Sequence, residues 1–183
     1  MRRGEALRRF ASVGWGRLAV LRTSTQITSI SNSVLAPQPL NVKIAQLNQN
    51  SMTIHFSETR DIELTQIIFL YKANRWSSIQ KPQELHQGLL NSHYLVSAWD
   101  GSELVGIGNA ISDGYLVVYY PHLIVHPDYQ HQGIGKQLME MLQRRYQGFH
   151  MQILVADQDA IAFYEKCGFV KAENTQAMWY LPS

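Results

Sequence analysis

The sequence is short of cysteine, of long apolar runs and, over its first third, of acidic residues, and each shortage excludes something. A single cysteine, Cys167, cannot build a disulfide framework or a Cys-rich zinc site, so no metal is expected. No apolar run approaches the roughly 20 residues that a bilayer-spanning helix needs, so a soluble protein with no membrane partner is expected. Residues 1–51 hold seven of the 16 Lys and Arg (Arg2, Arg3, Arg8, Arg9, Arg17, Arg22 and Lys43) but only Glu5 of the 14 acids. The tail is therefore net +6, and the remainder, with nine cations against thirteen acids, is net −4. Phosphate backbones are bound by basic surfaces, so this core is not read as a nucleic-acid binder. What is present is 45% hydrophobic and 16% charged residues over 183 positions, enough for the core of one domain with an appendage.

The appendage is Arg-rich and then polar. From Thr23 to Asn50, Ser, Thr, Asn, Pro and Gln dominate without the apolar periodicity of a packed element. Residues 1–51 read as a disordered extension with two explanations. One is an organellar transit sequence whose first 22 residues form a basic amphipathic helix. The other is an over-long start, with Met52 opening the first strand-like run. Location follows suit: cytoplasmic, or plastid or mitochondrion if the extension directs import. A secretory signal fits poorly, because Arg17 interrupts the apolar segment at 11–21.

From residue 52 to 183 strand and helix signals alternate as one domain, without an internal repeat. Met52, Ile54 and Phe56 alternate as a half-buried strand requires, and Ile62, Leu64, Ile67, Ile68 and Tyr71 recur at helical spacing over 61–72. A second helix follows at 82–90. Strands at 94–99 and 104–111 flank the hairpin turn Asp100-Gly101-Ser102, and Asp113-Gly114 turns the chain into a long strand at 115–125. Pro121 cannot donate to a ladder, so a bulge or splay is expected there. A helix at 133–146, a strand at 151–155, a helix at 160–166 and short strands near Phe169 and Met178 complete the expected order.

The chemistry concentrates in Leu123-Ile124-Val125-His126-Pro127-Asp128-Tyr129-Gln130-His131-Gln132-Gly133-Ile134-Gly135-Lys136. An apolar strand runs into a loop, and two glycines open an amphipathic helix bearing Leu138, Met139 and Leu142. Glycines at a helix start let backbone N–H groups approach an anion where the helix dipole is positive, which suits a phosphate-bearing ligand. Alone, a Gly-x-Gly also serves merely to shape a strand-to-helix turn. No Gly-Lys-Ser/Thr follows, which excludes a Walker loop, and the third glycine and ribose acid of a dinucleotide fingerprint are missing.

Gln130-x-x-Gly133-x-Gly135 after Val125-His126-Pro127 resembles the acyl-CoA signature of the GNAT N-acetyltransferase superfamily. Downstream, Asp157-x-x-Ala160-x-x-Phe163-Tyr164-Glu165-Lys166-x-Gly168-Phe169 resembles its second motif. The likeness covers residues 52–183 and none of the tail. It implies an α+β fold, an α/β/α sandwich in which a mixed, mostly antiparallel central sheet is splayed between two parallel strands, with helices on both faces. Arg75-Trp76, the run 85–93, Ser112-Asp113-Gly114 and Ala156-Asp157-Gln158-Asp159 are similar to the plant and cyanobacterial serotonin (arylalkylamine) N-acetyltransferase branch, where Asp likewise opens the second motif. One departure precedes Leu123: relatives carry an acid where this chain has His122.

The resemblance implies acetyl-CoA as co-substrate, in an opening between the strands that end at Val125 and Val155. Leu123, Ile124 and Val125 would pair with the pantetheine amides, and the N–H groups of His131, Gln132, Gly133, Ile134, Gly135 and Lys136 would hold the pyrophosphate. Asp157 would border the pantetheine arm. Tyr164 would protonate the departing thiolate, or else pack its helix onto the sheet. The attacking amine must lose a proton, and His122 is the first candidate base, followed by Tyr119 and Asp113, with a water chain as the alternative. His126 is read as a loop-positioning residue and Cys167 as a small hydrophobe. No Cys/His pairing supports a covalent route, so direct transfer in a ternary complex is expected. Tyr71, Trp76, Tyr115, Tyr119 and Tyr120 are candidates to wall a site for a small arylalkylamine. A protein N-terminus or lysine side chain is the second acceptor reading, and a non-catalytic CoA-binding module the reading from another class. Association as a homodimer stays open.

Overall fold

Burial is continuous along the strand segments 95–98 and 104–110 instead of alternating, so the sheet is packed on both faces. In the computed structural model, residues 53–178 and Tyr180 are described. The extension expected at 1–51 lies outside the described residues. Strands β1 (Ile54–Ser57), β2 (Tyr94–Asp100), β3 (Glu103–Ser112), β4 (Val117–Val125) and β5 (Met151–Ile153) lie in spatial order β1-β2-β3-β4-β5. The first four are antiparallel neighbours, and β4 and β5 run parallel.

Helices α1 (Leu64–Ala73) and α2 (Pro82–Leu90) cover one face, where Ile67, Leu70, Tyr71, Leu85 and Leu89 meet Leu95, Leu104, Ile107 and Ile124. Helix α3 (Ile134–Arg145) covers the other, setting Leu138, Met139 and Leu142 against Val96, Ala98, Val105, Ala110 and Val118. Burying each Leu, Ile, Val or Met among these contributes about 1.5–3 kcal/mol. The close approach of α3 depends on glycines in β3. A Cβ at Gly106 would stand 3.0 Å from Leu138, and one at Gly108 3.0 Å from Leu142. Helix α4 (Ile161–Lys166) follows β5.

The irregularity expected at Pro121 is present. Asn109 opposes His122 and Ile111 opposes Tyr119, so Ala110 faces two residues, Tyr120 and Pro121. A side chain bridges this bulge: buried Asn109 accepts the His122 backbone N–H at 3.2 Å and donates to Ser92 Oγ at 2.7 Å. Ser92 Oγ in turn donates to the Gly88 carbonyl at 2.9 Å. The parallel pairing joins 117–119 to 151–153 and ends where the bulge begins. Beyond that point β4 has no strand partner on its β5 side among the described residues, which leaves room for a cleft.

Two expectations fail at the C-terminal end. The strand at 151–155 stops at Ile153, and no strand forms near Phe169 or Met178 among the described residues. A strand requires a paired neighbour and a buried face. Here Val170 is 89% and Met178 91% exposed, while Phe169 turns back onto Tyr164 and Tyr120 and Thr175 N–H closes a turn on the Ala172 carbonyl.

Candidate active site

The connection from β4 to α3 is held at several points. His126 N–H donates to the Val105 carbonyl at 2.8 Å, its Nδ1 accepts the Asp128 N–H at 3.3 Å, and its ring stacks on Phe69 at 5.3 Å. His126 therefore positions the loop, as read from the sequence. Gln130 folds back to donate from Nε2 to the Val125 carbonyl at 3.0 Å, and the same atom reaches Asn74 Oδ1 at 3.5 Å. The chain then takes left-handed conformations at His131 (φ 63°) and Gly133 (φ 86°), the second of which explains why glycine stands there. Space around Gly133 is open on the side a Cβ would occupy. Gly133 is the N-cap of α3 and offers no side chain to the N–H groups of the first turn, which stay available to an anion.

These N–H groups border a cleft of about 430 Å³. One wall carries Leu123, Ile124 and Val125, the rim carries His131, Gly133, Gly135 and Lys136, and the opposite wall carries Asp157 and Tyr164. Nine of the residues singled out in the sequence thus converge on one cavity. Three do not. Gln132 is exposed and donates from Nε2 to the Asp128 carbonyl at 3.2 Å. Ile134 is 4% exposed and packs beneath α3 in the core. Their side chains are spent on loop and core, although their backbone N–H groups remain in the turn. His122 does not line the cleft either: its ring lies on the α1 face, with Nδ1 2.7 Å from the Tyr71 hydroxyl and Trp76 edge-on at 5.2 Å. Burial holds it at about 4, so it is a poor base at neutral pH.

Asp113 is also removed from the list of bases. Its Oδ1 accepts the N–H groups of Tyr115, Leu116 and Val117 at 2.8–3.1 Å, which shapes the β3–β4 turn and lowers its pKa. Of the proposed aromatic wall, Trp76 and Tyr120 line the cleft, Tyr71 is fully buried behind it, and Tyr119 lies outside the lining. Tyr115 is 89% exposed near that turn. Cys167 packs half-buried against the α3 core, as expected of a small hydrophobe.

Tyr164 makes no side-chain hydrogen bond among the described residues, and its ring meets Phe163 at 5.1 Å and Phe169 at 6.0 Å. Burial, then the neighbouring Cys167, Asp157 and Tyr119, push its pKa up to about 12. The phenol therefore keeps its proton at any physiological pH and can donate it. Burial and Asp159 raise Asp157 as well. Residues that the sequence reading did not assign to the cleft include Asn74, Pro121, Phe163 and Lys166. Phe163 lay within the second motif, but Asn74 carried no signal, because only the packing of α1 against the β4 loop brings it there.

A sheet whose parallel strands part over a glycine-opened helix on one wall and a half-buried tyrosine on the other defines an acyltransferase of the GNAT fold. The chain belongs to the acetyltransferase (GNAT) domain family, whose profile matches residues 35–181. It is similar to the uncharacterized N-acetyltransferase ycf52 of Pyropia yezoensis, at 28% identity over 137 residues that cover 70% of this chain and 78% of that one. The uncharacterized N-acetyltransferase ycf52-like protein of Prochlorococcus marinus is 28% identical over 142 residues, covering 73% and 78%. Among solved structures, the GNAT-family acetyltransferase SP0256 of Streptococcus pneumoniae is 29% identical with a TM-score of 0.60, covering 71% of this chain and 97% of that one. No described helix is long and apolar enough to cross a membrane.

Proposed function

We propose that this acetyltransferase moves the acetyl group of acetyl-CoA to a primary amine by direct attack in a ternary complex, and that the acceptor is a small arylalkylamine of the kind used by the serotonin N-acetyltransferase branch. The observation that carries the reading is the single cleft that joins the uncapped first turn of α3 to the Tyr164 hydroxyl. The open space at Gly133 suits the close approach of a pyrophosphate to backbone N–H groups.

Acetyl-CoA supplies an activated thioester. The N–H groups of residues 131–136 bind its pyrophosphate, and Lys136 adds positive charge. The exposed backbone of 123–125, past the end of the β4–β5 pairing, takes the pantetheine amides as a partial extra strand. Asp157 borders that arm from the opposite wall. Tyr164 donates its proton to the departing sulfur, because a thiolate of pKa about 8.5 leaves more readily as the thiol. The amine sheds its proton to solvent rather than to His122. Trp76, Tyr120 and Phe163 in the cleft, with Pro121 and Ile124, support an acceptor with a flat apolar body.

The test is an acceptor screen that detects free thiol, using tryptamine-type amines, polyamines, amino sugars and short peptides. Release is expected to be fastest with the aryl-alkyl amines. Preference for peptides would replace the acceptor class, and no release with any amine would overturn the transferase reading.

A further inference from the structure

We propose that Tyr71 is a positioning residue: its hydroxyl donates to Nδ1 of His122, holds that imidazole as the neutral Nε2–H tautomer, and through it fixes the wall that Trp76 presents to the cleft. The kinetic part rests on the acetyl-transfer reading above; the tautomer does not.

Tyr71 sits on α1 at 0% exposure, and its hydroxyl oxygen is 2.7 Å from His122 Nδ1, its one hydrogen bond among the described residues. A phenol has one proton to place. If the imidazole donated from Nδ1, that hydroxyl proton would be buried without an acceptor among the described residues, which is unfavourable. If Tyr71 donates, both atoms are satisfied. A neutral imidazole carries one N–H, so with Nδ1 accepting, the proton is on Nε2. Among the described residues, Tyr71 from α1 and Trp76 from the α1–α2 connection meet the ring, and Asn109 of β3 holds the His122 backbone. Burial keeps His122 neutral and raises Tyr71 far above its ordinary value, so both stay in the forms this bond needs.

The three rings hold one another. Trp76 stands edge-on to His122 at 5.2 Å and to Tyr71 at 5.6 Å, each at 87°, and Tyr71 meets His122 at 5.6 Å. Of the three, only Trp76 lines the cleft, and it is 8% exposed. A rotated imidazole would take away one of the two faces against which the indole is set. The chemical consequence is that His122 accepts no proton from the amine, because one ring nitrogen is occupied by Tyr71 and the other already bears a proton.

The experiment is a long-range ¹H–¹⁵N correlation spectrum of the full chain with labelled histidine, near neutral pH, on the wild type and on Tyr71→Phe. The wild type should show the Nε2–H pattern for His122, assigned by its disappearance in His122→Gln. Tyr71→Phe should shift that pattern toward a tautomer mixture. In kinetics, Tyr71→Phe should lower kcat/KM for the amine by up to about tenfold, the loss of one hydrogen bond, with acetyl-CoA affinity within about twofold of wild type. An Nδ1–H or doubly protonated His122 in the wild type would overturn the proposal without recourse to any variant. An unchanged amine kcat/KM in a folded Tyr71→Phe would remove the positioning role. Failure of the wild type to acetylate any amine would instead defeat the functional reading and leave the spectrum as it is.

Discussion

Two half-buried rings, one lining the cleft and one beside it, differ in what partial burial does to their protons. Tyr164 keeps its proton up to about 12 and lines the cleft, so in the proposed reaction it would act as a donor whose removal is felt in the transition state. Tyr164→Phe is expected to lower kcat by roughly 10²–10⁴ with little change in acetyl-CoA affinity, which steady-state kinetics and calorimetry together would check. Wild-type kcat in that variant would return the residue to packing. His122 makes a different prediction, about stability. Burial lowers it from 6.5 to about 4 in the fold, so between those values the unfolded chain binds the additional proton. Stability is then full above about 6.5, falls as pH drops through the window and levels off near 4, by an amount on the order of 3 kcal/mol. Urea unfolding across that window should show this slope in the wild type and a shallower one in His122→Gln.

At the level of elements, the β4 bulge and the start of α3 decide where the cleft lies. Pro121 interrupts the pairing of β4 with β3, which resumes at His122, and the β5 ladder stops at Tyr119, so among the described residues the strand edge beyond it is open to a ligand. The first turn of α3 is shaped by Gly133 at φ 86°, where a β-branched residue is strained by about 1–3 kcal/mol. Gly133→Val should therefore weaken CoA binding by more than the ~1.4 kcal/mol of a tenfold change. Gly133→Asn, which tolerates the left-handed region, should lose less. Calorimetric titration of the two variants checks the order, and equal affinities in folded protein would show that this turn does not hold the ligand.

For the whole molecule, the open question is the extension. Its composition leads us to expect it outside the core, while the family match begins at residue 35. Starting the chain at Met52 is expected to change unfolding stability by less than about 1 kcal/mol. A larger loss would assign 35–51 to the folded domain. If the Arg-rich segment is a transit sequence, residues 1–51 fused to a fluorescent protein should direct it to an organelle and be removed there. Diffuse cytoplasmic fluorescence with an intact fusion would favour a start at Met52.

The sequence by itself determined the order of the elements, because apolar periodicity, turn glycines and Pro121 act locally. It also determined the glycine-opened rim of the candidate cleft: Gln130, Gly133 and Gly135 are neighbours in the chain, and the geometry they impose is a backbone property of that stretch. Tertiary structure alone decided the other residues of the cleft. His122 and Pro121 are adjacent in sequence, yet strand alternation sends one to the α1 face and the other to the cleft, and burial against Tyr71 then removes the basicity that free histidine has. Asp113, equally plausible as a base in a linear reading, is consumed by three N–H groups of its own turn. Asn74 and Trp76 reach the cleft only because α1 packs on the sheet, and Val170 and Met178, apolar enough to suggest strands, remain exposed because no neighbour among the described residues pairs with them. Long-range packing sets burial, and burial sets which polar groups keep the chemistry their residue type allows.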